Sequence, residues 1–210
     1  MYIESTNISK PKTILWKDKE INTGIYKTPT HKAIYLSKTG IVNDYVADTK
    51  VHGGIYKACY LFSSNQYPYW ENIYPNLKWH WGMFGENLTV NGMDEKLIMV
   101  GDIYRIGDAV VQVTQPREPC FKFGFKFGNQ NIITQFINHG FSGTYVRVLE
   151  EGLIHVKDNV ELIDRLEKTL SVAQLYAIIF SKINNRKLLE IAVTLDTIPF
   201  EKREQLRRMI

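Results

Sequence analysis

The chain has 210 residues, 44% of them hydrophobic and 23% charged, with 26 basic against 22 acidic side chains. This is the composition of one globular domain with a sizeable core and room for a small appendage, and it excludes disordered and collagen-like classes. A net charge of +4 accommodates anionic ligands without calling for nucleic acid. No apolar run has the length of a signal peptide or a bilayer span, which points to a cytoplasmic protein with no membrane association.

The first thirty residues read as short extended pieces with turn signals at Asn22–Gly24 and Pro29. A strand is expected over Lys32–Ser37, then an irregular stretch, NDYVAD (Asn43–Asp48), running into Val51–Gly54. Tyr56–Phe62 has the aromatic and apolar character of a strand and holds Cys59 among large apolar neighbours, which places that cysteine in the core. Ser63, Ser64 and Asn65 suit a helix start, with Pro68 in the first turn and Tyr67, Trp70 and Tyr74 at helical spacing. That stripe reads as core packing in preference to a base-stacking platform. Phe84–Val90, FGENLTV, is a glycine loop feeding a strand.

A meander follows, with strands at Ile98–Val100, Ile103–Ile106 and Ala109–Thr114 joined by Gly-Asp turns. Asn131 begins an amphipathic helix closed near Gly140, and Tyr145–Leu149, Leu153–Val156 and Val160–Ile163 are three more short strands. Short strands at this spacing predict a barrel or sandwich. The character changes at Arg165. Ser171-x-x-Gln174 is a capping box before VAQLYAIIF, and helices over Asn185–Val193 and Phe200–Met209 complete a three-helix unit. The organisation is therefore a β domain over 1–164 and a helical extension over 165–210 packed on it. Lys202–Arg208 is basic and reads as a solvated helix face.

Chemistry concentrates after Thr114. Pro116 and Pro119 make Gln115–Cys120 a stiff, non-helical loop at a strand end, and it delivers Cys120 three residues after Arg117. A neighbouring cation favours the thiolate, the form that attacks electrophiles and binds metals; a small buried hydrophobe is the other reading of a free cysteine, and the spacing leaves both open. With only Cys59 and Cys120, and no C-x-x-C pair, neither a disulfide framework nor a Cys₄ iron–sulfur cluster fits. His31, His52, His80, His139 and His155 lack metal-ligand spacing. In VHGGIYKA, Gly53–Gly54 can expose N–H groups to an anion, flanked by His52 and Lys57, although a plain glycine turn accounts for the motif taken singly. Asn87 in GENLT can hydrogen-bond a heterocycle or phosphate. Arg147 can face inward or outward, and period two does not choose.

Together, KVHGGIYKACY, GMFGENLTVNG, VGDIYRIGDAVVQVTQPREPC and GTYVRVLEEG resemble, in content and order, MOSC domains of the YiiM-type subgroup. The resemblance covers nearly the whole chain, the C-terminal helices looking like that subgroup's three-α-helix extension. One stretch departs from it. The family has GDxQAD before VHGG, and here Asn43 replaces the glycine and Val46 the glutamine.

The resemblance implies a mainly β (α+β) fold, a MOSC-type β-barrel with peripheral helices, that binds molybdenum cofactor. Cys120 would be the metal ligand and catalytic residue, with His52, Gly53, Gly54, Lys57, Asn87 and Arg117 holding the cofactor. It further implies reductive dehydroxylation of N-hydroxylated bases such as 6-hydroxylaminopurine; a non-enzymatic carrier of the cofactor or of persulfide sulfur is the alternative. With no iron–sulfur set or flavin fingerprint in the sequence, electrons are expected from a separate flavoprotein or ferredoxin-like donor, for which Lys202–Arg208 is a candidate docking surface.

Overall fold

The computed structural model describes residues 1–30, 32–48, 53–181 and 183–210. In chain order its strands are β1 (Tyr2–Ile8), β2 (Lys12–Trp16), β3 (Lys19–Thr23), β4 (Thr28–Pro29), β5 (Ile34–Ser37), β6 (Gly40–Ile41), β7 (Cys59–Ser63), β8 (Leu88–Asn91), β9 (Ile103–Ile106), β10 (Ala109–Pro116), β11 (Thr144–Glu150), β12 (Gly152–Ile154) and β13 (Val160–Asp164). The helices are α1 (Tyr67–Ile73), α2 (Phe121–Lys126), α3 (Asn131–His139), α4 (Val172–Ile179), α5 (Arg186–Ala192) and α6 (Phe200–Arg207).

Eight strands form one mixed sheet in the order β13-β9-β10-β11-β7-β8-β1-β4, with β12-β5-β6 and β2-β3 as smaller sheets. The sheet curls but does not close, which corrects the expected barrel. The reason lies in β1, whose outer edge is divided. Its C-terminal half pairs with β4 through Asn7 and Ile8, while residues 1–3 meet Lys157–Val160 through a bridge between Tyr2 and Asn159 and three backbone hydrogen bonds, too few to form a ladder with β13. Strand β13 itself pairs with β9 alone among the described residues.

Strand β10 is buried along its whole length, as expected of a central strand whose two faces are both covered. On one side lies an aliphatic core that runs from Ile3, Leu61, Val111 and Val146 into Leu175, Ile178, Leu189 and Ile198 of the C-terminal helices. On the other lies an aromatic core of Phe62, Tyr67, Trp70, Phe84, Phe123 and Phe136. Phe62 stacks on Phe84 with ring centroids 4.2 Å apart, and Trp70 on Phe136 at 5.9 Å. Tyr67 and Trp70 of α1 are thus core, and Cys59 is buried in the aliphatic cluster.

Local signals explain the helix ends. Ser171 and Gln174 form the reciprocal capping box, Asn185 accepts from the Leu188 N–H, and Gly140 closes α3 in the left-handed region at φ 83°. The expected strand Ile98–Val100 is different. It makes one bridge, Met99 to Ser171, and so ties the sheet to the start of α4. Arg165 locks the same junction with two bonds to the buried Asp102 carboxylate, each 2.7 Å. No helix among the described residues is long and apolar enough to cross a membrane.

Candidate functional site

A cavity of about 480 Å³ opens where β10 ends. Its walls come from Thr23–Lys27, the segment 37–48, the turn before β7, the Gly85–Asn87 turn, the Arg117–Lys122 stretch and Tyr145 of β11. Of the residues singled out in the sequence, Gly53, Lys57, Asn87, Arg117 and Cys120 line this one cavity. Gly54 is outside the lining and instead begins the turn Ile55–Lys57, at φ 82°, with its carbonyl accepting the Lys57 N–H at 3.0 Å. His52 lies outside the described residues.

The proline loop is built as its sequence predicts. Pro116 still sits opposite Thr144 in the sheet, and the chain then leaves it extended, with Cys120 at φ −129° and ψ 174°. The Cys120 carbonyl accepts the Phe123 N–H at 2.9 Å and so begins α2, a helix absent from the sequence reading. Cys120 is partly exposed to the cavity. Arg117 is 6% exposed, with its guanidinium 4.6 Å from the Phe123 ring, 5.1 Å from Tyr60 and 5.7 Å from Phe136. Aromatic faces stabilise a cation but do not satisfy its N–H donors, and Nη1 is buried without a hydrogen-bond partner. Tyr145 stands beside this pair, its ring 5.2 Å from Tyr60. Burial raises its phenol, Arg117 opposes the shift and Cys120 adds to it.

The FGENLT turn is knotted by a residue that the sequence reading passed over. Glu86 is wholly buried, and its carboxylate accepts from the N–H groups of Gly82 (2.8 Å) and Phe84 (3.1 Å), from Thr89 Oγ1 (2.8 Å) and from the Tyr67 hydroxyl. Four donors around one carboxylate make a rigid turn. Gly82 has to be glycine, because φ is 84° and a Cβ would sit 2.8 Å from the Lys27 carbonyl oxygen. Asn87 next to it lines the cavity with its amide already engaged. Nδ2 donates to Asp44 (2.8 Å) and to the Asn7 carbonyl (3.3 Å), and Oδ1 accepts the Tyr60 N–H (3.3 Å).

Asp44 is the second residue missed. It gathers Asn87, the Ser9 N–H and hydroxyl (2.8 and 3.1 Å) and an ion pair with Lys27, and so fixes NDYVAD against β1 and β8. Asn43 adopts φ 67°, a conformation that glycine takes freely and asparagine tolerates better than other residues. Val46 lines the cavity and makes that stretch of wall apolar where the family carries an amide.

At the mouth, Glu118 forms an ion pair of 2.6 Å with Lys202 of α6, whose side chain is only 16% exposed. This corrects the solvated reading of α6 at its first turn. Lys57 lies 5.5 Å from the Tyr145 ring; burial lowers its pKa, Glu118 raises it and Lys202 lowers it again. Behind the wall, Lys126 of α2 donates to the carbonyls of Gly82 (2.8 Å) and Ile25 (3.1 Å). Arg147, left open by the sequence, bonds Gln112 at 2.9 Å and does not line the cavity.

The cavity therefore combines one thiol with a cationic surplus. Asp44 is held by Lys27 and Glu118 by Lys202, and the one further acid among the described lining residues, Asp48, stands against Arg117, Lys57 and Lys122. Among the described residues no three or more His, Cys, Asp or Glu side chains are grouped to hold a metal ion, so a metal here would bring most of its ligands with it. Such a site fits an anionic group carrying its own donor set, with Cys120 adding one sulfur and Arg117 Nη1 finding its missing partner.

Residues 48–161 match the family model of the MOSC domain. The protein YflK of Bacillus subtilis (strain 168) is 41% identical over 168 residues, which cover 80% of this chain and 76% of that protein. A protein of Gibberella moniliformis named "Reductase" is 33% identical over 163 residues, 76% of this chain but 29% of that protein. The crystal structure of YiiM from Geobacillus stearothermophilus superimposes with a TM-score of 0.82 at 32% identity, covering 99% of this chain and 98% of that one. The fold, the ordered motifs and these likenesses agree: the chain belongs to the MOSC-domain family and, within it, to the YiiM-like proteins.

Proposed function

We propose that this protein is a molybdenum-cofactor-dependent reductase that removes oxygen from N-hydroxylated bases of the 6-hydroxylaminopurine type or related N-hydroxylated compounds. The observation that carries the reading is Arg117, a buried guanidinium with an unpartnered Nη1, in one cavity with Lys57 and the Cys120 thiol. Family membership supports it, as does the name of the longer Gibberella relative.

Arg117 and Lys57 would hold the cofactor's phosphate, the Gly53 backbone would border it, and Cys120 would contribute a soft sulfur ligand. Asn87 would act at one remove, holding Asp44 and the cavity wall. The chemistry that a bound molybdenum centre supplies is two-electron reduction with uptake of the hydroxyl oxygen, so that R–NHOH, two electrons and two protons give R–NH₂ and water. The electrons would come from a separate flavoprotein or ferredoxin-like partner.

The test is metal and pterin analysis of protein purified from a host that makes the cofactor, followed by turnover of 6-hydroxylaminopurine with dithionite. Molybdenum and pterin near one per chain, lost in Cys120→Ser and kept in Cys59→Ser, would support the reading. Turnover should proceed with dithionite and not with NADPH alone. Loaded protein without turnover would favour a carrier, and the absence of both metal and pterin would sink the proposal.

A further inference from the structure

The cavity's charge is not set by its own lining alone. Glu118 lies between Pro116 and Pro119, two residues before Cys120, and its carboxylate lines the cavity. The cation paired with it, Lys202, belongs to the last helix of the chain, more than eighty residues later and outside the lining. Two electrostatic couplings run alongside this ion pair. Tyr176 of α4 is buried, its hydroxyl has no partner, and its phenol is raised by burial, with Arg117 opposing and Glu118 adding. Lys57, on the far wall, senses both Glu118 and Lys202. The Glu118 carboxylate thus stands within electrostatic reach of cations from two parts of the fold, and its ion pair of 2.6 Å is with the C-terminal one.

We propose that Lys202 is a positioning residue that sets the anion affinity of the cavity by neutralising Glu118. This rests on the reading of the cavity as an anion site and adds to it a role for the C-terminal helices. An unneutralised carboxylate beside Arg117, Lys57 and Lys122 would offset part of the field that draws a phosphate in, and Lys202 removes that opposition from outside the site. Because Lys202 is mostly buried and Glu118 is held between two prolines, the pair is better ordered than an ordinary surface bridge.

The experiment is isothermal titration of the protein with inorganic pyrophosphate, comparing Lys202→Met, Glu118→Gln and Lys202→Arg, with circular dichroism to check folding. Charge tuning predicts shifts of opposite sign. Lys202→Met exposes the carboxylate and should weaken binding about fivefold, and Glu118→Gln removes it and should tighten binding by a similar factor. Lys202→Arg should match the wild type, and both shifts should shrink as salt rises. A bridge that merely scaffolds the loop would weaken binding in both disrupting variants, and that result overturns the proposal. So does the absence of any shift. Wild-type protein that binds no pyrophosphate would overturn the anion-site reading itself, whereas wild-type binding without opposing shifts sinks only the role of Lys202.

Discussion

Two neighbouring turns border the cavity, Gly82–Leu88 and Gln115–Cys120, and they treat their polar groups in opposite ways. In the first, the Glu86 carboxylate collects four donors and the Asn87 amide bonds Asp44, Asn7 and Tyr60. In the second, Arg117 is as deeply buried, yet Nη1 has no partner and its flanks are aromatic faces. A buried donor left unpaired costs about 1–3 kcal/mol. Such a group persists where something else gains from it, which is why the second turn reads as the binding element and the first as its frame.

The largest expected effect tests the frame. Glu86→Ala strands four buried donors and should destabilise the fold by at least about 3 kcal/mol in urea unfolding. A loss under about 1 kcal/mol would mean that the knot is not what holds the turn. Arg117→Met comes next and should do the reverse. Its stability should stay within about 1 kcal/mol of wild type, because relief of the unpartnered Nη1 and of the buried charge offsets the lost contacts with Tyr60 and Phe123, while pyrophosphate affinity falls at least tenfold with the loss of a charge-assisted contact. Asn87→Ala should cost about 1–2 kcal/mol of stability and change that affinity less than about threefold. If Asn87→Ala instead behaved like Arg117→Met, the division between frame and binding element would fail.

This division was only half legible in the sequence. Prolines 116 and 119 and the strand before them announced a stiff loop presenting Cys120, since φ restriction is a local property. Helix limits at Ser171 and Gly140 were equally readable from their caps. Convergence was not local: Lys57, Asn87 and the loop carrying Arg117 and Cys120 come from separate parts of the chain, and only the order of motifs, matched to a family, brought them together. Glu86, Asp44 and Lys202 lay inside segments that stood out in the sequence, but nothing marked them there as individual side chains. A buried carboxylate and an exposed one look alike in a sequence, and the partner of Glu118 lies on a helix whose basic run resembles any solvated face. The open sheet escaped notice for a similar reason, because strand counts do not reveal that one edge of β1 is shared by two neighbours. Likewise α2 followed Cys120 without a side-chain cap, and the β2–β3 hairpin turns at Lys17 and Asp18, both at positive φ without the usual glycine.

Lys126 joins the two turns, and it supplies the smallest prediction. Its amine is buried behind the cavity, donating to the Gly82 carbonyl at the start of one turn from the helix that follows the other. Burial lowers its pKa to about 7, with Arg117, Lys27 and Lys12 adding to the fall and Glu86 opposing it. In the unfolded chain a lysine titrates near 10.4. Between those values the unfolded state holds a proton that the folded state lacks, so stability rises with pH, by about 1 kcal/mol from pH 7 to 8. Below pH 7 both states are protonated and this contribution is flat. Glu95 has the opposite sign in a lower window: burial raises its carboxyl to about 7, so its contribution falls from roughly pH 4.5 to 7 and then levels off. Cys59, whose thiol burial raises, and Lys57, whose amine burial lowers, also contribute between pH 7 and 9, and comparison with Lys126→Met in urea unfolding over that range cancels them and isolates the lysine. Wild-type stability should climb across that range relative to Lys126→Met, because a neutral amine still donates to both carbonyls without the cost of a buried charge. Parallel profiles for the two proteins would show that Lys126 stays charged between the turns, and the cavity would then be backed by a cation at neutral pH.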